Sequence, residues 1–298
     1  MRSGDHASIV VPDGWRALDL ASLSGVLIVI GASNTGKSTF AHWLFRQLAR
    51  SDRPVAFLDG DVGQSALGPP TLLTLGLATQ TSEASEEFTS LLHWFVGDVS
   101  PRGHMLPWIV GVGRLTQRAL ATGAKTIVVD TTGLVDRAQG GVALKHALVD
   151  QLQPTTLFAF QRAAELEPIL APLRRLPSPR VVELPVTDRV RQRDVQTRQA
   201  HRAAAFRRYF AGAGSLRLSL RTRAVFEGQA FAPRRLLALQ DRAGLTLALG
   251  VILDWEPTSA VLTVQTPWTD PEAVASVRLG VLGVDVNTGR ELRPGRSG

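Results

Sequence analysis

The sequence predicts an α/β fold: a mostly parallel sheet flanked by helices, then an arginine-rich helix and a small β-rich C-terminal domain. Three observations predict it. A glycine-rich loop from Gly31 to Ser38 joins an apolar strand to an amphipathic helix. Apolar runs alternate with helical patterns as far as Leu184. Beyond Gly212 the period changes to two, with Leu216, Leu218 and Leu220 alternating with polar residues.

Taken in order, residues 1–24 form a lead-in, with a strand expected at Ser8–Val11 and a turn at Pro12-Asp13-Gly14. Val26–Ile30 is apolar and mostly β-branched, hence a strand. Gly31-Ala32-Ser33-Asn34-Thr35-Gly36-Lys37-Ser38 is a complete GxxxxGK(S/T) loop, and after Thr39 the residues Phe40, Trp43, Leu44 and Leu48 share one helical face. Strand, loop and helix together are the context of a nucleoside triphosphate site, the mark of a P-loop NTPase domain. Backbone N–H groups of the loop point at phosphate, and the helix N-terminus adds positive potential. Lys37 is expected to reach the β- and γ-phosphates, and Ser38 to ligate Mg²⁺. Further strands are expected at Val55–Leu58, Leu91–Val96, Thr126–Val129, Thr156–Phe160 and Val181–Leu184, and helices at Ser38–Arg50, Met105–Thr122, Gly141–Gln151 and Ala163–Arg175. Such alternation implies a sheet covered on both faces, with ligands at the carboxyl ends of the strands. The expected organisation is a lead-in to residue 24, a P-loop domain over 25–212 that includes a basic helix at 188–211, and a β-rich domain over 213–298. In the last, turn signals such as Glu227-Gly228, Glu256-Pro257 and Asn287-Thr288-Gly289 separate short apolar runs.

The chain has 298 residues, 44% of them apolar, enough for a sizeable core. It holds no apolar run long enough to span a bilayer and no signal-peptide core, so a cytoplasmic protein without membrane contact is expected. The absence of cysteine excludes disulfides and thiolate chemistry. The net charge is +7 and the pI about 10.9. Of 33 basic residues, only Lys37, Lys125 and Lys145 are lysine. Guanidinium suits a polyanionic partner, and a GC-rich genome yields the same excess, so composition leaves both open.

Three groups of residues point to chemistry. Asp59 and Asp61, one residue apart at the end of the second strand, stand where a carboxylate binds Mg²⁺ or takes a proton from an attacking hydroxyl. Gln64 is placed to hold a substrate oxygen. Asp130 closes Thr126-Ile127-Val128-Val129 as a second P-loop signature would, orienting Mg²⁺, with Thr131-Thr132-Gly133 on the γ-phosphate side. Asp130 to Gly133 also fits DxxG, but no NKxD guanine reader occurs, which argues against a regulatory GTPase. Arg189, Arg191, Arg193, Arg198, Arg202, Arg207 and Arg208 crowd the stretch before Tyr209-Phe210. Arg198 and Arg202, four apart, share a face and suit a lid over a transferring phosphoryl group. The six histidines are scattered, unlike the clusters of metal-insertion ATPases.

The chain resembles the P-loop polynucleotide 5′-hydroxyl kinases of tRNA splicing, messenger RNA 3′-end processing and ribosomal RNA maturation. Four stretches carry the resemblance, in the family's order: GASNTGKST at 31–39; Asp59-Gly60-Asp61-Val62-Gly63-Gln64-Ser65 with Pro69-Pro70, like the DxDxGQ segment; Phe95 to Pro101, like the GxTSP stretch; and Arg193 through Arg198 and Arg202 to Tyr209-Phe210, like the arginine lid. It covers about 25–212. The family pattern is broken at Val99, which replaces a threonine, and at Leu134, which stands where many members have tryptophan. A compact prokaryotic-type member is expected, without the N-terminal domain of eukaryotic members.

The resemblance implies transfer of the γ-phosphate of ATP or GTP to the 5′-hydroxyl of an RNA or DNA end. It implies that Asp61 is the base, with Lys37, Arg198 and Arg202 catalytic. Gly31 to Thr39 would hold the nucleotide, Ser38, Asp59, Asp61 and Asp130 the Mg²⁺, and Gln64, Thr132, Gly133 and Arg193 the acceptor. A nucleotide-binding scaffold or P-loop ATPase of RNA processing, without kinase activity, is the alternative.

Overall fold

The computed structural model describes residues 11–50, 54–78, 88–187, 193–227 and 231–293. Most of the lead-in strand expected at Ser8–Val11, and the arginines at 189 and 191, lie outside the described residues. Where a turn was expected after Pro12, Asp13–Arg16 form one helical turn, α1. Trp15 anchors it, its buried ring packing edge-on against Phe40 at 5.0 Å.

Seven strands of the N-terminal region follow: β1 (Gly25–Gly31), β2 (Val55–Gly60), β3 (Leu72–Ala78), β4 (Phe88–Phe95), β5 (Thr126–Thr131), β6 (Thr156–Gln161) and β7 (Arg180–Pro185). They lie side by side in the order β4-β3-β2-β5-β1-β6-β7. The five from β2 to β7 in that order are parallel. Sequence reasoning missed β3. It runs antiparallel to β2, and an antiparallel return needs no crossover helix to announce it. Because β4 is in turn antiparallel to β3, its carboxyl end comes back to the same edge as that of β2.

Alternate strand residues face opposite ways, and helices cover both faces as the alternation predicts. On one face, Phe40, Leu44, Phe45 and Leu48 of α2 (Lys37–Ala49) pack on Leu27, Val29, Phe57 and Phe158. On the other, α3 (Met105–Ala121), α4 (Gly141–Leu152) and α5 (Glu167–Leu173) bring Trp108, Leu115, Leu148 and Ile169 onto Ile28, Leu58, Ile127 and Val129. Each such side chain contributes about 1.5–3 kcal/mol by leaving water. Among the described residues, no helix is long and apolar enough to cross a membrane.

The arginine-rich stretch forms α6 (Val195–Tyr209), started by Asp194, whose side chain accepts from the Thr197 amide at 2.7 Å. After it come β8 (Gly214–Ser219), β9 (Ala224–Phe226), β10 (Arg235–Gln240), β11 (Thr246–Glu256), β12 (Val261–Thr266), β13 (Ser276–Val284) and β14 (Glu291–Leu292). All but β9 pair antiparallel. Phe206 and Phe210 of the basic helix region are buried among Leu72, Phe95, Leu236, Leu249 and Leu282. The Tyr209 hydroxyl accepts from the Leu249 amide at 2.8 Å. Among the described residues one pair, Thr246 opposite His93, joins β11 to β4 and makes the sheet continuous.

His93 sits at that junction, its Nδ1 3.0 Å from Thr74 Oγ1. Burial lowers its pKa to about 4. The unfolded imidazole titrates near 6.5, so between those values the unfolded chain binds a proton that the folded chain refuses. Stability from this group is therefore intact above about pH 6.5 and falls by up to about 3 kcal/mol as the pH drops to 4. Urea unfolding of His93→Gln across this window is expected to show a pH slope shallower by about one proton. Superimposable slopes for the two proteins would rule His93 out as the source.

Candidate active site

The phosphate loop leaves β1 at Gly31 and enters α2 at Lys37. Gly36, at φ 87°, takes the left-handed conformation that a side chain would resist. Thr35 Oγ1 donates to the Ala32 carbonyl at 2.9 Å and braces the loop from within. The first amides of α2, without partners inside the helix, make this end an anion site. Lys37 is buried and reaches toward Asp61, its Nζ 4.0 Å from Oδ2.

Parallel pairing assembles the acidic groups. Asp59 on β2 is the register partner of Asp130 on β5, and Asp130 is also the partner of Val29 on β1. The two carboxylates and the loop thus share one edge of the sheet. Their roles differ. Asp59 Oδ2 accepts from Ser65 Oγ and from the amides of Ala66 and Leu67, at 2.9, 2.7 and 3.1 Å, and its Oδ1 accepts from the Asp61 amide at 3.2 Å. It is a staple for the turn, with both oxygens engaged. Its pKa is raised by burial and by the neighbouring Asp61, against the pull of these donors. Asp61 spends only Oδ1 on the turn, accepting from the amides of Gly63 and Gln64, each at 3.0 Å. Its Oδ2 faces Lys37.

Asp130 is buried, and among the described residues its Oδ1 has no hydrogen-bond partner. Burial pushes its pKa up to about 7; Lys37 and a hydrogen bond from Ser38 act downward, Asp59 and Asp61 upward. Among the described residues no group of three or more His, Asp or Glu forms a metal cluster. A cation here would rest on few protein ligands and on donor phosphates, as Mg²⁺ commonly does. A bare buried carboxylate oxygen beside a serine hydroxyl fits that pattern.

Sequence reasoning overlooked the support beneath this edge. Lys145, on α4, is fully buried and donates to Thr131 Oγ1 at 2.9 Å and to the Thr132 carbonyl at 2.8 Å. Burial lowers its pKa to about 7, with the Lys37 charge adding and Asp130 and Asp61 opposing. Trp108 lies 5.8 Å from its Nζ and donates to the Gly60 carbonyl at 2.9 Å. One lysine and one tryptophan thus fix the ends of β5 and β2. The only signal was a lysine flanked by apolar residues, Leu144 before it and Ala147-Leu148 soon after, in an arginine-rich chain. Gly133 lies against the phosphate loop so closely that a Cβ would come 2.6 Å from Ser33 Oγ and 2.8 Å from its amide nitrogen.

The basic helix reaches the site through its backbone. Asn34 Nδ2 donates to the Arg193 carbonyl at 3.3 Å, and Gln64 Nε2 to the Arg198 carbonyl at 3.4 Å. Gln64 Oε1 is buried with no partner among the described residues. Arg162, not singled out from the sequence, donates to the Asn34 carbonyl. Arg202 was expected beside Arg198 above the phosphoryl group. Its guanidinium forms an ion pair with Glu291 of β14, both side chains being largely shielded. The loop after β4 joins the same edge: Asp98 binds Arg293 through both oxygens, at 2.8 and 3.3 Å.

Residues 31–212 match a family model described as the mRNA cleavage and polyadenylation factor CLP1 P-loop. A polyribonucleotide 5′-hydroxyl-kinase of Pyrococcus furiosus is 31% identical over 205 residues, covering 69% of this chain and 56% of its own. One from Pyrococcus horikoshii is 28% identical over 184 residues, covering 62% and 49%. The chain thus spans about half the length of the curated relatives it matches. The solved structure of a wild-type Clp1p–Pcf11p (454–563) complex shares the fold, with a TM-score of 0.65 at 13% identity over 86% of this chain and 74% of that one.

Gly133→Ala is expected to displace Ser33 and weaken nucleoside triphosphate binding at least tenfold, about 1.4 kcal/mol, in a calorimetric titration. An unchanged affinity would show that the loop tolerates the methyl group. Lys145→Met keeps the bulk but strands the Thr132 carbonyl, and should lower unfolding free energy by about 1–3 kcal/mol in urea.

Proposed function

This chain belongs to the CLP1 P-loop family, and from that premise we propose that it is a polynucleotide 5′-hydroxyl kinase. It moves the γ-phosphoryl group of ATP or GTP to the 5′-hydroxyl of an RNA or DNA end. The observation that carries this reading is Asp61. Its carboxylate is pinned through one oxygen by the Gly63 and Gln64 amides, and the other oxygen lies 4.0 Å from Lys37 Nζ. A simple ATPase needs no second carboxylate fixed on the far side of the donor lysine, whereas a kinase must orient an acceptor hydroxyl there.

The parts take these roles. Gly31 to Thr39 wrap the donor phosphates through backbone amides, and Lys37 holds their outer end. Asp61 Oδ2 aligns the 5′-hydroxyl and accepts its proton as the oxygen attacks phosphorus in line. Gln64, with a buried and unmet acceptor at Oε1, receives a hydrogen bond from the terminal nucleotide. Thr132 and Gly133, held by Lys145, bound the γ-phosphate side, and Arg193 lies at the acceptor entrance. Arg198 supplies positive charge as the equatorial oxygens load up. Arg202 anchors the helix through Glu291. Ser38 and Asp130 are the residues that would hold Mg²⁺, with Asp61 beside them and Asp59 committed to the turn. Bound there, the ion would offset the negative charge of the donor phosphates.

Asp61→Asn keeps the shape and both amide contacts while removing the base. Transfer of labelled γ-phosphate to a 5′-hydroxyl oligonucleotide is expected to fall by ~10²–10⁴, with nucleotide affinity changing little. A variant as fast as wild type would remove Asp61 from the mechanism.

A further inference from the structure

Resting on the kinase reading above, we propose that the cleft between α6 and residues 290–293 seats the sugar–phosphate backbone of the acceptor strand, beyond the nucleotide that carries the reacting hydroxyl. The cleft has a volume of about 570 Å³, within the usual range of ligand sites, about 300–1,000 Å³. One wall is a single face of α6, where Gln196, Gln199, Ala200 and Ala203 recur at helical spacing. The alanines leave room and the glutamines present amides. The other wall runs from Arg290 to Arg293.

Contacts already described tie both walls to the acceptor side of the site. Gln64, three residues from Asp61, touches the Arg198 carbonyl, next to Gln199. Gly63 meets the loop after β4 so closely that a Cβ would come 2.6 Å from the Val99 carbonyl oxygen. On that loop Asp98 grips Arg293. Arg202 closes the ring by pairing with Glu291. A strand whose first hydroxyl lies at Asp61 leaves past Gln64 and meets this cleft next.

The charge in the cleft suits such a strand. Glu291 is matched by Arg202 and Arg293 by Asp98. Arg290 is exposed and has no ion pair among the described residues, so it gives the cleft a net positive charge. Guanidinium and carboxamide groups are the side chains that bind phosphate oxygens and sugar hydroxyls without reading sequence. The seat is therefore sequence-tolerant and salt-sensitive.

The test compares 5′-hydroxyl single strands of two and ten nucleotides as acceptors. The wild-type KM is expected to be lower for the longer strand. Arg290→Glu on one wall and Gln199→Glu on the other should each raise the ten-nucleotide KM about tenfold, at similar kcat. The length ratio then collapses toward one. Arg290→Gln should reduce the log–log salt slope of binding by about 0.7. Thermal melts report whether each variant is folded, and the two walls provide independent variants. Length dependence that survives both substitutions, or is missing in wild type, overturns the proposal and leaves the cleft to another ligand, such as an acidic protein segment. Absence of transfer to every acceptor would sink the kinase reading instead. Fluorescence anisotropy of a labelled ten-nucleotide strand then tests the cleft alone, and equal affinity for wild type and Arg290→Glu overturns it.

Discussion

The parallel pairing of β2, β5 and β1 is the constraint on which the site rests. Register alone sets Asp59 beside Asp130 and Asp130 beside Val29, two residues before the phosphate loop begins. No side chain needs to reach far, because the strand ends already stand together. Slipping β5 by one residue would swap the side chains it presents to α2 and to α3–α5 and take Asp130 out of register with Asp59 and Val29. The two apolar layers, α2 on one side and α3 to α5 on the other, make that slip prohibitively costly.

The same edge gathers acidic and basic groups where water is scarce. An isolated charge buried there costs several kcal/mol. The fold responds by giving each carboxylate a different environment. Asp59 is satisfied by its own turn, Asp61 is half satisfied, and Asp130 keeps one oxygen bare. That gradient separates a scaffold group from groups with capacity left for ligands. Lys145, equally buried, spends its donors on the strand end rather than on a carboxylate, so it shapes the pocket without neutralising it.

Much of this was legible in the residues. The loop, its strand and helix, and the acidic ends of β2 and β5 are local patterns, and short-range sterics and periodicity specify them. The buried face of α2 falls on Phe40, Trp43, Leu44 and Leu48 as read. Long-range facts were not legible. β3 is a short apolar run, Leu72 to Ala78, that no helix separates from β2, so the strand–helix alternation passed over it. The division of labour between Asp59 and Asp61 depends on which oxygens the turn consumes. The Arg202–Glu291 pair joins residues 89 positions apart, and helical spacing alone put Arg202 with Arg198. Lys145 was noted only as one of three lysines, because its burial follows from how α4 packs on the sheet.

The segment matched by the family model ends at residue 212, yet much of what steadies its last helix comes from further along. Phe206 and Phe210 are seated among side chains of β10, β11 and β13. A protein trimmed at residue 212 would leave much of that oily seam open to solvent, with the far end of the basic helix resting only on the side formed by Leu72 and Phe95. The later strands are thus the foundation of a helix assigned to the earlier half, and any rearrangement of that helix must be carried by its first turns while its far end stays moored.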